Sequence, residues 1–108
     1  MSVFTSFAGT LSADVAASAL PTVQVVTMSL ASTEYSIALP ANCRQFLVKL
    51  RGGAKLQVAY SPGDSGVTYF TVPRNCFYAE SDLKLTSTVT LYIQCPVAAQ
   101  ELEVLTWV

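Results

Sequence analysis

The residues best suited to chemistry fall into a few small groups, and each group lacks a partner that its chemistry requires. Gly63-Asp64-Ser65-Gly66 has the glycine-flanked serine of a nucleophile loop. A serine nucleophile needs a base to take its proton, ordinarily a histidine oriented by a carboxylate. The chain contains no histidine, so the tetrapeptide reads as a glycine-punctuated turn after Ser61-Pro62. Glu101 and Glu103 share one side of a strand, while Glu80 and Asp82 are close together in a loop. Paired carboxylates can run glycoside chemistry or bind calcium. Neither pair sits in an oxygen-rich ligand loop, and carboxylates on an edge strand commonly guard it against pairing. Cys43, Cys76 and Cys95 form no Cys-X-X-Cys pair, and there is no histidine to complete a zinc site. They are expected to be buried free thiols of a chain made in a reducing cytoplasm, a disulfide staying open if the protein ends outside the cell. These groups nominate no catalytic residue, no cofactor and no metal.

Binding chemistry is better represented. Lys49, Arg51 and Lys55 form the one concentration of charge, yet the net charge is only −1. Binding to phosphates needs clustered cations, so nucleic acid is excluded as a main partner, and the patch suits a carboxylate-rich protein surface. Tyr60, Tyr69, Phe70, Phe77, Tyr78 and Tyr92 could stack on a sugar or a protein, although sheet aromatics commonly serve the core. No apolar run reaches the ~18 residues that a membrane helix needs. The first twenty residues carry no Lys or Arg, so the charged start of a secretory signal is missing.

These residues have to be held by a single domain. With 108 residues, 52% hydrophobic and 12% charged, the chain is too apolar and too weakly charged for disorder. Residues 1–20 are rich in Ser, Thr and Ala, with Asp14 their only charge. They read as an N-terminal arm, any short helix over Leu11–Leu20 ending at Pro21. Its Phe4, Phe7 and Leu11 are too apolar for a free tail and are expected to dock on a neighbouring subunit, the other reading being that the segment folds back as a first strand of its own sandwich.

Residues 21–108 read as one β-sandwich domain. Val23–Met28 looks like a strand covered on both sides, and Tyr35–Leu39 alternates like a half-buried strand. Residues 44–60 predict a hairpin: a three-residue Arg51-Gly52-Gly53 loop pairs Leu50 with Ala54, Val48 with Leu56 and Phe46 with Val58, one glycine taking positive φ. That register sets Lys49 against Lys55. A short strand over Val67–Val72 stops at Pro73, and residues 74–82 read as irregular, with a helical turn over Ala79–Asp82. Thr88–Cys95 and Glu101–Val108 complete about seven strands, the pattern of an all-β antiparallel sandwich or small barrel. In the last strand Leu102, Val104 and Val108 take the core face. Leu105 and Trp107 are on the opposite face, where a subunit or domain contact should cover them.

Tyr60-Ser-Pro-Gly63, Thr68-Tyr-Phe-Thr-Val-Pro73, Tyr78-Ala-Glu-Ser-Asp-Leu83, Thr90-Leu-Tyr-Ile-Gln94 and Glu101-Leu-Glu-Val-Leu-Thr-Trp107 together resemble small virion proteins of tailed bacteriophages. The resemblance covers a little under half the chain. It implies a β-sandwich or jelly-roll module that decorates or cements a capsid, or serves as a minor head or tail component. The family pattern has small, Gly-rich residues after the proline, where this chain has Arg74-Asn75-Cys76. The resemblance brings no active site with it.

The expectation is therefore a structural virion protein, made in the host cytoplasm and residing in the virion. It would be a homo-oligomer, as a trimer, attached to the major capsid protein or another virion protein, without nucleic acid or membrane. Phe4, Phe7, Leu11, Lys49, Arg51, Lys55, Leu105 and Trp107 are the expected protein contacts. The alternative is a carbohydrate-binding module or fibre tip that uses exposed tyrosines.

Overall fold

Apolar residues recur at every second position through most of the domain, and a strand places such residues on one face. The computed structural model describes residues 20–108, and before them a two-residue antiparallel pairing of Thr5–Ser6 with Gly9–Thr10. The expected arm over residues 1–20, with its contact candidates Phe4, Phe7 and Leu11, otherwise lies outside the described residues. Eight strands follow: β1 Thr22–Met28, β2 Tyr35–Leu39, β3 Gln45–Leu50, β4 Leu56–Ala59, β5 Phe70–Val72, β6 Phe77–Glu80, β7 Val89–Gln94 and β8 Gln100–Trp107. They form two four-stranded antiparallel sheets. One has the order β1-β8-β3-β6, the other β2-β7-β4-β5. No helix occurs among the described residues. The fold is all-β and sandwich-like.

The inward alternation of both sheets fills one core. Met28, Phe46, Val48, Leu50, Leu102 and Val104 come from the first sheet. Ile37, Leu39, Leu56, Val58, Val72, Leu91 and Ile93 come from the second. Burying each of these large side chains contributes about 1.5–3 kcal/mol, so the alternation determines which face of each strand turns inward. Cys43 and Cys95 are buried free thiols, as expected, whereas Cys76 is a free thiol on the surface. Val108, expected on the core side, is exposed at the end of the chain.

The expected hairpin over residues 44–60 does not form. β3 pairs with β8 and β6, and β4 pairs with β5 and β7, so the two strands lie in opposite sheets. Both turn their apolar faces to the same core, and alternation alone cannot tell a sheet neighbour from a strand across the core. The Arg51 N–H donates to the Glu101 carbonyl at 2.9 Å, which keeps the chain on β8 past the end of β3. Residues 51–55 then cross between the sheets. Lys49 faces Glu103 and Phe77 rather than Lys55, so opposite charges replace the expected like pair. The expected positive-φ glycine is also absent here; Gly63, with φ +83°, is the described glycine in that region. A Cβ on Gly52 would collide with the Gln100 side chain, while one on Gly53 meets only ordinary contact with Arg74 and Asn75.

Residues 74–82, read as irregular, contain β6 at the edge of the first sheet, and no helical turn forms over Ala79–Asp82. The segment is too short and too polar to show strand periodicity, and it is recruited by pairing Phe46–Lys49 with Phe77–Glu80. β8 is an interior strand between β1 and β3, so Glu101 and Glu103 do not guard an edge.

The Gly63–Gly66 loop has a structural role. The Glu34 carboxylate accepts hydrogen bonds from the Gly63 N–H at 3.0 Å, the Ser65 N–H at 3.2 Å and the Ser65 hydroxyl. Ser65 Oγ lies 3.0 Å from Gln94 Oε1 on β7, and Ser65 is fully buried. The loop thus lies against the outer face of the second sheet, where Gln57 and Ala59 are buried although their register turns them outward. Hydrogen bonding from Ser65 and then Gly63 holds the Glu34 carboxyl below its ordinary range. A depressed carboxylate contributes stability that is complete above its unfolded pKa and is lost as pH falls through the folded value. Glu34→Gln should therefore flatten the acid limb of a melting-temperature series against pH. An unchanged acid slope would remove Glu34 from this role.

Ala99 precedes β8 with φ 57°, its N–H donating to the Ser29 carbonyl at 3.2 Å. A left-handed residue with a Cβ costs about 1–2 kcal/mol, and glycine returns about 0.5–1 kcal/mol of that as unfolded-state entropy. Ala99→Gly should stabilise the domain by several tenths of a kcal/mol, a gain measurable by urea denaturation.

Candidate interaction surface

The outer faces of the two sheets differ in chemistry. In the second sheet the outward residues are small or polar: Ser36, Ala38, Thr90, Gln94 and Thr71, with Tyr92 the one large side chain. The outer face of the first sheet carries more large apolar side chains, set around the charged Glu101, Glu103 and Lys49. One row across its four strands runs Val23, Leu105, Leu47, Ala79, and the next runs Val25, Glu103, Lys49, Phe77. Trp107 lies beside Gln45 at the end of the face. Val23 is 66% exposed, Val25 48% and Phe77 61%, while Leu47, Leu105 and Trp107 are half-buried. Apolar area of this kind on a small domain is a feature that contact surfaces share. The expected outward placement of Leu105 and Trp107 is met. The expected coverage of β1 on both sides is not, because β1 is an edge strand with Val23 and Val25 open to solvent.

The basic patch is rearranged. Arg51 Nη1 lies 2.5 Å from Glu101 Oε1, and Arg51 Nε lies 2.8 Å from Glu103 Oε2. The Glu103 hydrogen bond, assisted by the charge of Glu101, raises the pKa of an already permanent cation. Arg51 is therefore neutralised within its own sheet face and straps β3 to β8. As an exposed pair it adds little stability. Lys49 stays exposed in the middle of that face, in register with Glu103, and Lys55 is exposed at the start of β4 in the other sheet. The three cations do not form one patch.

A second cluster closes the side of the sandwich where β6 and β5, the edges of the two sheets, approach each other. The Phe70 and Tyr78 rings have centroids 4.7 Å apart, and Phe46 meets Tyr78 edge-on at 5.6 Å. The Tyr60 and Tyr78 hydroxyls lie 2.6 Å apart, and Tyr78 donates to Glu80 Oε2 at 2.7 Å. Burial, reinforced by the Tyr60 and Glu80 contacts, pushes the Tyr78 phenol far above its ordinary value, and burial raises Tyr60 as well. Tyr60 and Phe70 remain half-exposed.

Val23, Val25 and Leu47 also belong to the outer face of the first sheet and are not among the expected contact candidates, while Phe77, expected as a stacking aromatic, lies on it too. The signal was present: Val23-Gln-Val25 and Leu47 put apolar side chains on the second face of strands already supplied with a core face. No protein-family model matches this chain, and neither a curated protein nor a solved structure matches it.

Proposed function

We propose that this chain is a structural virion protein, a capsid decoration or cement protein that stabilises a shell through protein–protein contacts. The observation that carries the proposal is the set of large apolar side chains on the outer face of the β1-β8-β3-β6 sheet, Val23, Val25, Leu47, Leu105, Trp107 and Phe77. A surface of this kind needs a permanent protein cover, and shell or sister subunits supply one. The strand orders β1-β8-β3-β6 and β2-β7-β4-β5 support assigning the sandwich to the eight-stranded jelly rolls, an architecture used by viral capsid proteins and by lectins. Lys49 and Glu103 at the middle of the face give the docked partner an orientation, since interfacial charges set register more than affinity.

The carbohydrate-binding alternative has one observation in its favour. Half-exposed Tyr60 and Phe70 flank the Tyr78–Glu80 hydrogen bond, combining stacking surface with a carboxylate acceptor. Co-sedimentation with empty capsid shells and calorimetric titration with sugars separate the two. The virion reading expects pelleting with shells and no heat with sugars. Saturable sugar heats without pelleting would replace it with the alternative.

A further inference from the structure

The four exposed edges of the two sheets are unequally protected. β5 is three residues long and stops at Pro73; β6 is four residues long and ends on Glu80; β2 is five residues long between Glu34 and Pro40. Short length, charge and proline are the usual protections of a strand edge. β1 is protected least: Pro21 precedes it, but its length is the greatest of the four and no charge lies within or beside it. It runs seven residues, Thr-Val-Gln-Val-Val-Thr-Met, without a charge or proline, and among the described residues only β8 pairs with it. A long, uncharged edge rich in β-branched residues is a template for another strand.

We infer that β1 is a self-pairing edge that joins two copies of this chain in antiparallel fashion about a two-fold axis at Val25. The sequence of β1 is compatible with itself in that register. Val25 faces its own copy, Val23 faces Thr27, Gln24 faces Val26 and Thr22 faces Met28, so every pair keeps its face and none sets like charges together. Pro21, which would interrupt the ladder, falls just outside the seven residues. The pairing fuses two four-stranded sheets into one eight-stranded sheet and joins their outer faces through Val23 and Val25. It is isologous and therefore closes as a dimer, and the guarded edges β2, β5 and β6 prevent it from growing into a fibre. The inference does not depend on the virion reading, because the pairing is measured on the purified chain without shells.

The test uses the full chain carrying Cys76→Ser, which removes the exposed thiol. In that background Val25→Cys brings two cysteines together at the axis. Opposed strand residues have Cα atoms about 4.5–5.5 Å apart, within the span of about 4.4–6.8 Å that a disulfide bridges. We expect mild oxidation to give a disulfide-linked dimer with twice the 11.5 kDa chain mass. Val25→Lys sets two charges against each other at the axis; it should leave the melting curve near that of the parent and return the mass in light scattering to one chain. A parent that is monomeric at micromolar concentration overturns the inference. So does an oligomer whose mass Val25→Lys leaves unchanged, or a Val25→Cys chain that fails to cross-link to its own copy under oxidation.

Discussion

Replacing Phe46 with alanine should remove about 3–5 kcal/mol of folding stability. Phe46 is 1% exposed, among the largest buried side chains of the domain. It lies on β3, an interior strand of the first sheet, and its ring meets Tyr78 edge-on. Truncation therefore removes the transfer energy of a buried ring, leaves a cavity between the sheets, and takes the support from the aromatic cluster that closes the β6–β5 side. A domain of this size has about 5–15 kcal/mol in all, so the variant should unfold at much lower urea concentration with the same denaturant slope. A loss below about 1 kcal/mol would mean that the core is not organised around Phe46.

The second large effect concerns binding. If the proposed shell attachment holds, Trp107→Ala and Leu105→Asp should each weaken it by about 2 kcal/mol or more, roughly thirtyfold in affinity. Both residues are half-buried on the outer face of an interior strand, and the inward side of that strand, Leu102, Val104 and Thr106, stays untouched. Loss of attachment should thus come with a cooperative melt and an intact core. Lys49→Ala, at the middle of the same face, should chiefly alter the salt dependence of attachment, because charge complementarity across an interface steers association. Equal affinity of Trp107→Ala and parent would place the contact elsewhere.

Strand positions were legible in the sequence wherever one face of a strand is buried. β2, β7 and the core face of β8 follow from alternation that the core enforces. Pairing was not legible. β3 and β4 look like a hairpin because both carry alternating apolar residues around Gly52-Gly53, yet the same alternation serves two strands that face each other across a core. The loop length could not decide between them, since residues 51–55 are long enough for either connection. β6 escaped notice for a different reason. Its four residues include exposed Phe77, Ala79 and Glu80, so no burial pattern marks it, and only the free edge of β3 makes it a strand. Of the outer-face residues, Leu105 and Trp107 could be found because they are large and apolar opposite a core face. Arg51 was misplaced in an open basic patch because its partners, Glu101 and Glu103, are some fifty positions away and become neighbours only through the β3–β8 pairing.

The central claim is that this chain attaches to a virion shell through the outer face of the β1-β8-β3-β6 sheet. The most direct measurement is its copy number on purified particles, determined for the parent chain and for Leu105→Asp produced in its place. The account predicts a parent present in a fixed ratio to the major shell protein and a Leu105→Asp chain that is folded but absent from the particles. Particles that lack the parent chain, or that carry both chains at the same copy number, would contradict it.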